Sequence, residues 1–203
     1  MTRQSRWVAV PVGLVLFLAA ASGSLRAQTL PTAGQPVILT SCGQSPGPTY
    51  VKLFLGRLGI EHELIDRATP EDLIGRQRSG KPVKTLIIVT GASLKGMGAA
   101  GVSMREELMR TEALIAEARK QGMTIIGAHV EGMDRRAQGA APGDNSDEQS
   151  IDAVMPNADV MVVRADGNED RRFTIISDAK KIPLVLFEKN MEMGDAFGKL
   201  FRK

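Results

Sequence analysis

A single cysteine, Cys42, occurs among the 203 residues, so no disulfide can form within the chain. Packing alone must hold the fold, without covalent staples. Aromatic side chains are scarce too, at 4%, with one tryptophan, Trp7, and one tyrosine, Tyr50. That scarcity excludes stacking platforms for single-stranded nucleic acid. There are two histidines, His62 and His129, and neither sits in a run with metal-ligand spacing, so no metal is expected. The charge has no dominant sign, with 26 basic and 23 acidic residues. Even that small excess belongs to the first 27 residues, which hold Arg3, Arg6 and Arg26 and no acid. The remainder is neutral and lacks the basic face by which a protein grips nucleic acid.

What is present first is a leader. Arg3 and Arg6 precede an apolar run from Val8 to Ala21, and small residues lead on to Ala27. This is the pattern of a secretory signal peptide over residues 1–27. The apolar run is shorter than the ~20 residues that span a bilayer comfortably. The expectation is export to the periplasm or beyond, with no stable membrane span after cleavage. Leu25 stands third before the cut, where a smaller residue is usual, and an uncleaved anchor is the alternative reading.

About 176 residues follow, enough for one domain with a real core. Residues 28–36 read as a short polar linker and 37–203 as a single domain in which strand and helix patterns alternate. Val37–Thr40, Ile60–Ile65, Thr85–Val89, Met123–Ala128, Val160–Val163 and Leu184–Phe187 have strand character. Thr85–Val89 is apolar at successive positions, as a central parallel strand requires. Helices are expected over Tyr50–Leu58, from Pro70 behind a Thr69 cap, over Ser103–Gln121, from Ser146 to Val154, over Asp170–Lys180 and over Met191–Phe201. Capping boxes are read at Ser103 with Glu106 and at Ser146 with Gln149. Met104, Leu108, Ile115 and Ala118 mark the apolar face of the long helix. This alternation predicts an α/β fold, a doubly wound Rossmann-like or flavodoxin-like parallel sheet in a three-layer sandwich. Ligands in such folds sit beyond the carboxyl ends of the strands, where strand order reverses.

That rule makes the strand-end loops the candidate site. The first, Thr40 to Pro48, enters a helix N-terminus suited to an anion, with Gln44 and Ser45 adding polar side chains. The second, Thr90 to Gly101, is rich in glycine and carries Ser93 and Lys95. Its residues 96–101 match GxGxxG only formally. Gly96 comes several residues after the strand, and no ribose-binding acid follows at the required distance. No Lys-Ser or Lys-Thr pair completes a phosphate loop either, so no cofactor is expected. The surviving expectation is a flexible loop bringing Ser93, Lys95 and backbone N–H groups to a small ligand. His129 and Glu131 end the next strand, and a long loop from Gly132 to Asn145 is expected to close over the site. Cys42 reads as a small packed residue, with a nucleophile activated by the helix N-terminus as the alternative. Asn168 reads as the cap of the helix after it.

The segments TSCGQS and KTLIIVTGASLKGMGAAG, with the His129 strand end, its Arg-Arg loop and NSDE, resemble a family of exported bacterial proteins of unknown function. The resemblance covers most of the chain after the leader and implies a shared fold and shared signature loops. It implies no activity. The family commonly carries a small residue where this chain has Cys42.

Two functions follow as expectations. The first is an extracytoplasmic protein that binds a polar or anionic small molecule through Gln44, Ser45, Ser93, Lys95, His129 and Glu131, as accessory to a membrane transporter or sensor. The second is a periplasmic hydrolase or transferase using His129 and Glu131, with Ser41, Cys42 or Ser93 as nucleophile. The nucleophile elbow GxSxG is not present.

Overall fold

Short runs rich in Val, Ile and Leu supply the centre of the molecule. The computed structural model describes residues 29–137 and 145–201; the leader and residues 138–144 of the expected closing loop lie outside them. Six strands, β1 (Val37–Cys42), β2 (His62–Leu64), β3 (Thr85–Thr90), β4 (Thr124–His129), β5 (Val160–Arg164) and β6 (Leu184–Phe187), form one sheet. Their order is β2-β1-β3-β4-β5-β6 and each neighbouring pair is parallel. The helices are α1 (Gly47–Arg57), α2 (Pro70–Arg78), α3 (Leu94–Ala100), α4 (Met104–Lys120), α5 (Ser146–Val154), α6 (Arg172–Lys180) and α7 (Met193–Gly198). Among the described residues no helix is long and apolar enough to cross a membrane.

Alternation along the strands builds the two cores. Leu39, Ile87 and Val89 point to one face, where Val51, Phe54 and Leu55 of α1 meet Ala196 and Phe197 of α7. Ile38, Leu86 and Ile88 point to the other, against Leu73 of α2, Leu114, Ile115 and Ala118 of α4, and Val154 of α5. A third cluster joins Met161 and Val163 of β5 to Ile151 of α5 and Phe173 of α6. The fold is thus a doubly wound, Rossmann-like three-layer sandwich with an all-parallel sheet. The residues of β1 and β3 are all buried, as strands covered on both faces must be.

Local structure departs from expectation at several points. The glycine-rich segment after β3 is not a loop throughout but contains α3, whose first turn is capped where Ser93 Oγ accepts the Gly96 N–H at 3.0 Å. Helix α5 is capped one residue earlier than expected, by Asn145, whose Oδ1 accepts the Glu148 N–H at 2.9 Å. The box at Ser103 and Glu106 forms as expected. The buried stripe of α4 runs through Glu107, Thr111, Leu114, Ile115 and Ala118, and Met104 and Leu108 lie along its edge. The closing helix is short, a 3-10 turn over Asn190–Glu192 followed by α7. Residues before β1 are laid on the domain: Leu30 packs against the core and the Ala33 N–H donates to Leu200 O at 2.8 Å.

Candidate functional site

Strand order creates the site. After β1 the chain moves outward through α1 to β2, then returns across β1 to β3 and continues in the opposite direction. The segments leaving β1 and β3 depart toward opposite faces, to α1 and to α3 and α4, and a crevice opens between them at the strand ends. The two turns are stitched together at their base. Ser93 N donates to Gly43 O at 2.7 Å, and Gln44 and Ala92 form an antiparallel bridge. Gly43 has φ of +103°, and a Cβ there would lie 2.7 Å from the Gly91 carbonyl oxygen. Gly96 is needed for approach: its Cβ would fall 2.2 Å from the Gln44 carbonyl oxygen.

The crevice has a volume of about 360 Å³, and its polar lining is Ser41, Gln44, Ser45, Asp66, Ser93 and Lys95. Four residues expected at the site, Gln44, Ser45, Ser93 and Lys95, are therefore brought together. Gln44 adopts the left-handed region, with φ of 58°, which a non-glycine residue keeps only when its surroundings hold it. Its Nε2 donates to Glu107 Oε2 at 2.8 Å and to Asp66 O at 3.2 Å.

Beneath the crevice lies an ion pair that sequence reasoning missed. The buried Glu107 carboxylate receives Arg110 Nε at 3.0 Å on Oε1 and Arg110 Nη2 at 2.9 Å on Oε2, together with Gly43 N at 3.1 Å. Arg110 also donates to Ser41 O and Ala68 O, tying the ends of β1 and β2 to α4. Burial works against the charged carboxylate, but hydrogen bonds from Arg110, Gln44 and Gly43 outweigh it and hold Glu107 below the usual range. The available signal was an acid at helical spacing with Thr111, Leu114 and Ala118. On the other flank, Asp147 Oδ1 accepts the Ala92 N–H at 2.6 Å and Ser150 Oγ accepts that of Gly91 at 2.9 Å.

His129 and Glu131, expected at the ligand, do not line this crevice, and each is engaged by partners within the protein. Glu131 Oε2 accepts the Gly47 N–H at 3.1 Å, so an internal carboxylate takes the N-terminus of α1 where an anion was expected to bind. Its other oxygen receives Arg135 Nε at 3.2 Å. His129 is fully buried, against Phe173 at 5.0 Å between ring centroids. Its Nε2 lies 3.0 Å from Gly132 O, an acceptor only, so the proton sits on Nε2. Nδ1 is then free to accept from the Thr90 hydroxyl at 3.0 Å. Both nitrogens are spent on protein partners. Burial pushes the imidazole down from 6.5 to about 4.

The sign of the pH effect follows from that shift. Between about 6.5 and 4 the unfolded chain takes up a proton that native His129 refuses. Stability is therefore lost as pH falls through this window, by up to about 3 kcal/mol. An NMR titration of the ring should show His129 still neutral well below pH 6.5; a midpoint at the ordinary histidine value would contradict the burial described.

The alternative reading of a Cys or Ser nucleophile served by His129 and Glu131 finds no support in this geometry. Cys42 is fully buried, and burial pushes its thiol up to about 11. Ser93 caps α3, and neither ring nitrogen of His129 faces the crevice serines. Among the described residues no group of His, Cys, Asp or Glu has the arrangement of a metal site. Asn168 caps as expected, its Oδ1 accepting the N–H groups of Phe173 and Thr174. A larger hollow of about 780 Å³ lies along the outer face of α1 by Tyr50, Leu53 and His62. Its surface is mostly apolar, although Thr49, Lys52 and Arg57 also line it, and it stands away from the carboxyl ends of the strands.

Residues 34–201 match the family model of DUF6305, a domain of unknown function. The chain belongs to the DUF6305 family. No functionally curated protein matches the sequence. Among solved structures, this DUF6305 chain is similar to a UDP-N-acetylglucosamine 4-epimerase from Bacillus cereus at 12% identity and a TM-score of 0.42, over 81% of this chain and 84% of that one. A GDSL-like lipase from Bacteroides thetaiotaomicron gives 12% identity and 0.34, over 74% and 66%. An O-acetylhomoserine sulfhydrylase from Wolinella succinogenes gives 19% and 0.31 over 49% of this chain, which spans only 26% of that protein. At such distances the likeness carries no residue's role across to the DUF6305 chain.

Proposed function

We propose that this DUF6305 protein is an exported, extracytoplasmic binding protein for a small polar molecule, held between the ends of β1 and β3 and delivered to a membrane transporter or sensor. One observation carries the reading. Gln44 and Ser45 after β1 converge with Ser93 and Lys95 after β3 on a single crevice at the point where strand order reverses. Its volume of about 360 Å³ is at the small end of the range for ligand pockets. The strained Gln44 backbone and the glycine-only approach of α3 support it further, because both keep polar groups in place before a ligand arrives.

Thermal-shift titration of the purified chain with amino acids, small organic acids and oxyanions tests the proposal. A true ligand stabilises saturably, by about 2.7 kcal/mol at a hundredfold excess over Kd. Lys95→Ala and Ser93→Ala are expected to weaken that response. A flat response across the panel, or a response unchanged in both variants, would count against it. The place of action is tested separately, by the intact mass of the protein recovered outside the cytoplasm, which should begin at Gln28.

A further inference from the structure

The charges around the crevice are few and of opposite sign. Among the described residues, Lys95, in the first turn of α3, and Asp66, in the turn after β2, are the only charged side chains that line it. Both are exposed, and among the described residues neither forms an ion pair. Three neighbouring acids, Glu107, Glu131 and Asp147, are engaged internally. Glu107 is held by Arg110, Glu131 by Gly47 and Arg135, and Asp147 by Ala92. The Asp66 main chain is fixed as well, since its carbonyl accepts from Thr40 Oγ1 at 3.2 Å and Gln44 Nε2 at 3.2 Å. Among the described residues its carboxylate has no such partner.

Position separates the two charges. Asp66 follows β2 and Lys95 follows β3, with β1 between them, so the turn bearing Ser41, Gln44 and Ser45 forms the neutral floor. Neither charge lies on a strand: Asp66 stands two residues past β2, and Lys95 lies in α3, five residues past β3. Both line one crevice of about 360 Å³, so a ligand that meets the two of them is a small molecule with its charged ends close together. A plain anion at Lys95 would face the Asp66 carboxylate, and a plain cation at Asp66 would face the Lys95 ammonium. A molecule carrying both charges satisfies each.

We infer that the crevice takes a zwitterion with an ammonium and a carboxylate close together, the chemical class of a free amino acid. Asp66 receives the ammonium, Lys95 the carboxylate, and Gln44 with the crevice serines bonds the groups between. This rests on the proposed binding crevice and narrows its ligand, since a simple anion no longer fits.

The experiment titrates the full chain with the common L-amino acids, each beside its N-acetyl derivative, which lacks the ammonium, and its amide, which lacks the carboxylate. At least one free amino acid should bind saturably, with both derivatives weaker by about tenfold or more, or ~1.4 kcal/mol. Asp66→Asn should erase the preference over the N-acetyl form, and Lys95→Met the preference over the amide. Both side chains are exposed, so the variants should fold. Derivatives that bind as tightly as their parents overturn the inference, as does silence from every free amino acid. Binding of inorganic oxyanions or amine-free acids that Lys95→Met abolishes and Asp66→Asn does not weaken overturns the zwitterion but keeps the crevice. Binding that is indifferent to both substitutions removes the crevice as well.

Discussion

Glu148→Ala is expected to destabilise the domain by about 3–5 kcal/mol, because it strands buried positive charge. Glu148 is fully buried at the start of α5, and its Oε1 receives Arg136 Nε at 2.7 Å. Its Oε2 lies 3.2 Å from Arg172 Nε. The Arg136 side chain is itself only 1% exposed, and its remaining partners are the Gly167 carbonyl and Asp170. This network joins the segment after β4 to α5 and α6, so losing the carboxylate loosens three elements together. Glu148→Gln keeps the shape and an acceptor oxygen and should cost less. Urea unfolding of the two variants beside the parent measures both. A loss for alanine below about 1 kcal/mol would mean that Arg136 and Arg172 are hydrated and not buried in the native state.

Gly43→Ala carries the second large effect, here through backbone and not charge. The φ of +103° disfavours any L side chain, and the new methyl would sit 2.7 Å from the Gly91 carbonyl oxygen and 2.8 Å from Ala92 Cα. Both obstacles are main chain, so neither can swing aside. A loss of about 2–3 kcal/mol is expected, with ligand affinity falling too because the β1 and β3 turns must separate. Gly98→Ala is the control. Gly98 lies inside α3 with nothing within 4 Å of where a Cβ would sit, so alanine there should stabilise by roughly 0.5–1 kcal/mol. If Gly43→Ala were as stable as the parent in chemical denaturation, the stitched base of the crevice would be disproved.

The architecture was legible because its signals are local. Thr85–Val89 announces a central strand by being apolar throughout, and Ser103 with Glu106 announces the start of α4. Alternation of such segments leads directly to a parallel doubly wound sheet. Four crevice residues were legible for the same reason, since they follow the two strands that flank the reversal of strand order. Asp66 was not. It follows a strand of three residues, and only the placing of β2 beside β1 brings it to the crevice. His129 misled because a strand end is where ligands bind, yet its burial depends on Phe173, which lies on a helix far along the chain. The anion seat at α1 misled likewise, because Glu131 comes 84 residues after Gly47 to fill it. Long-range packing, not local pattern, decided each of these.

The most direct measurement is an amide-resolved NMR titration of the isotopically labelled chain with a free amino acid that stabilises it. The shifts should gather on Ser41, Gln44, Ser45, Asp66, Ser93 and Lys95, and saturate together. Shifts gathered instead on Tyr50, Leu53 and His62 along the outer face of α1, or scattered without saturation, would contradict a ligand site between β1 and β3.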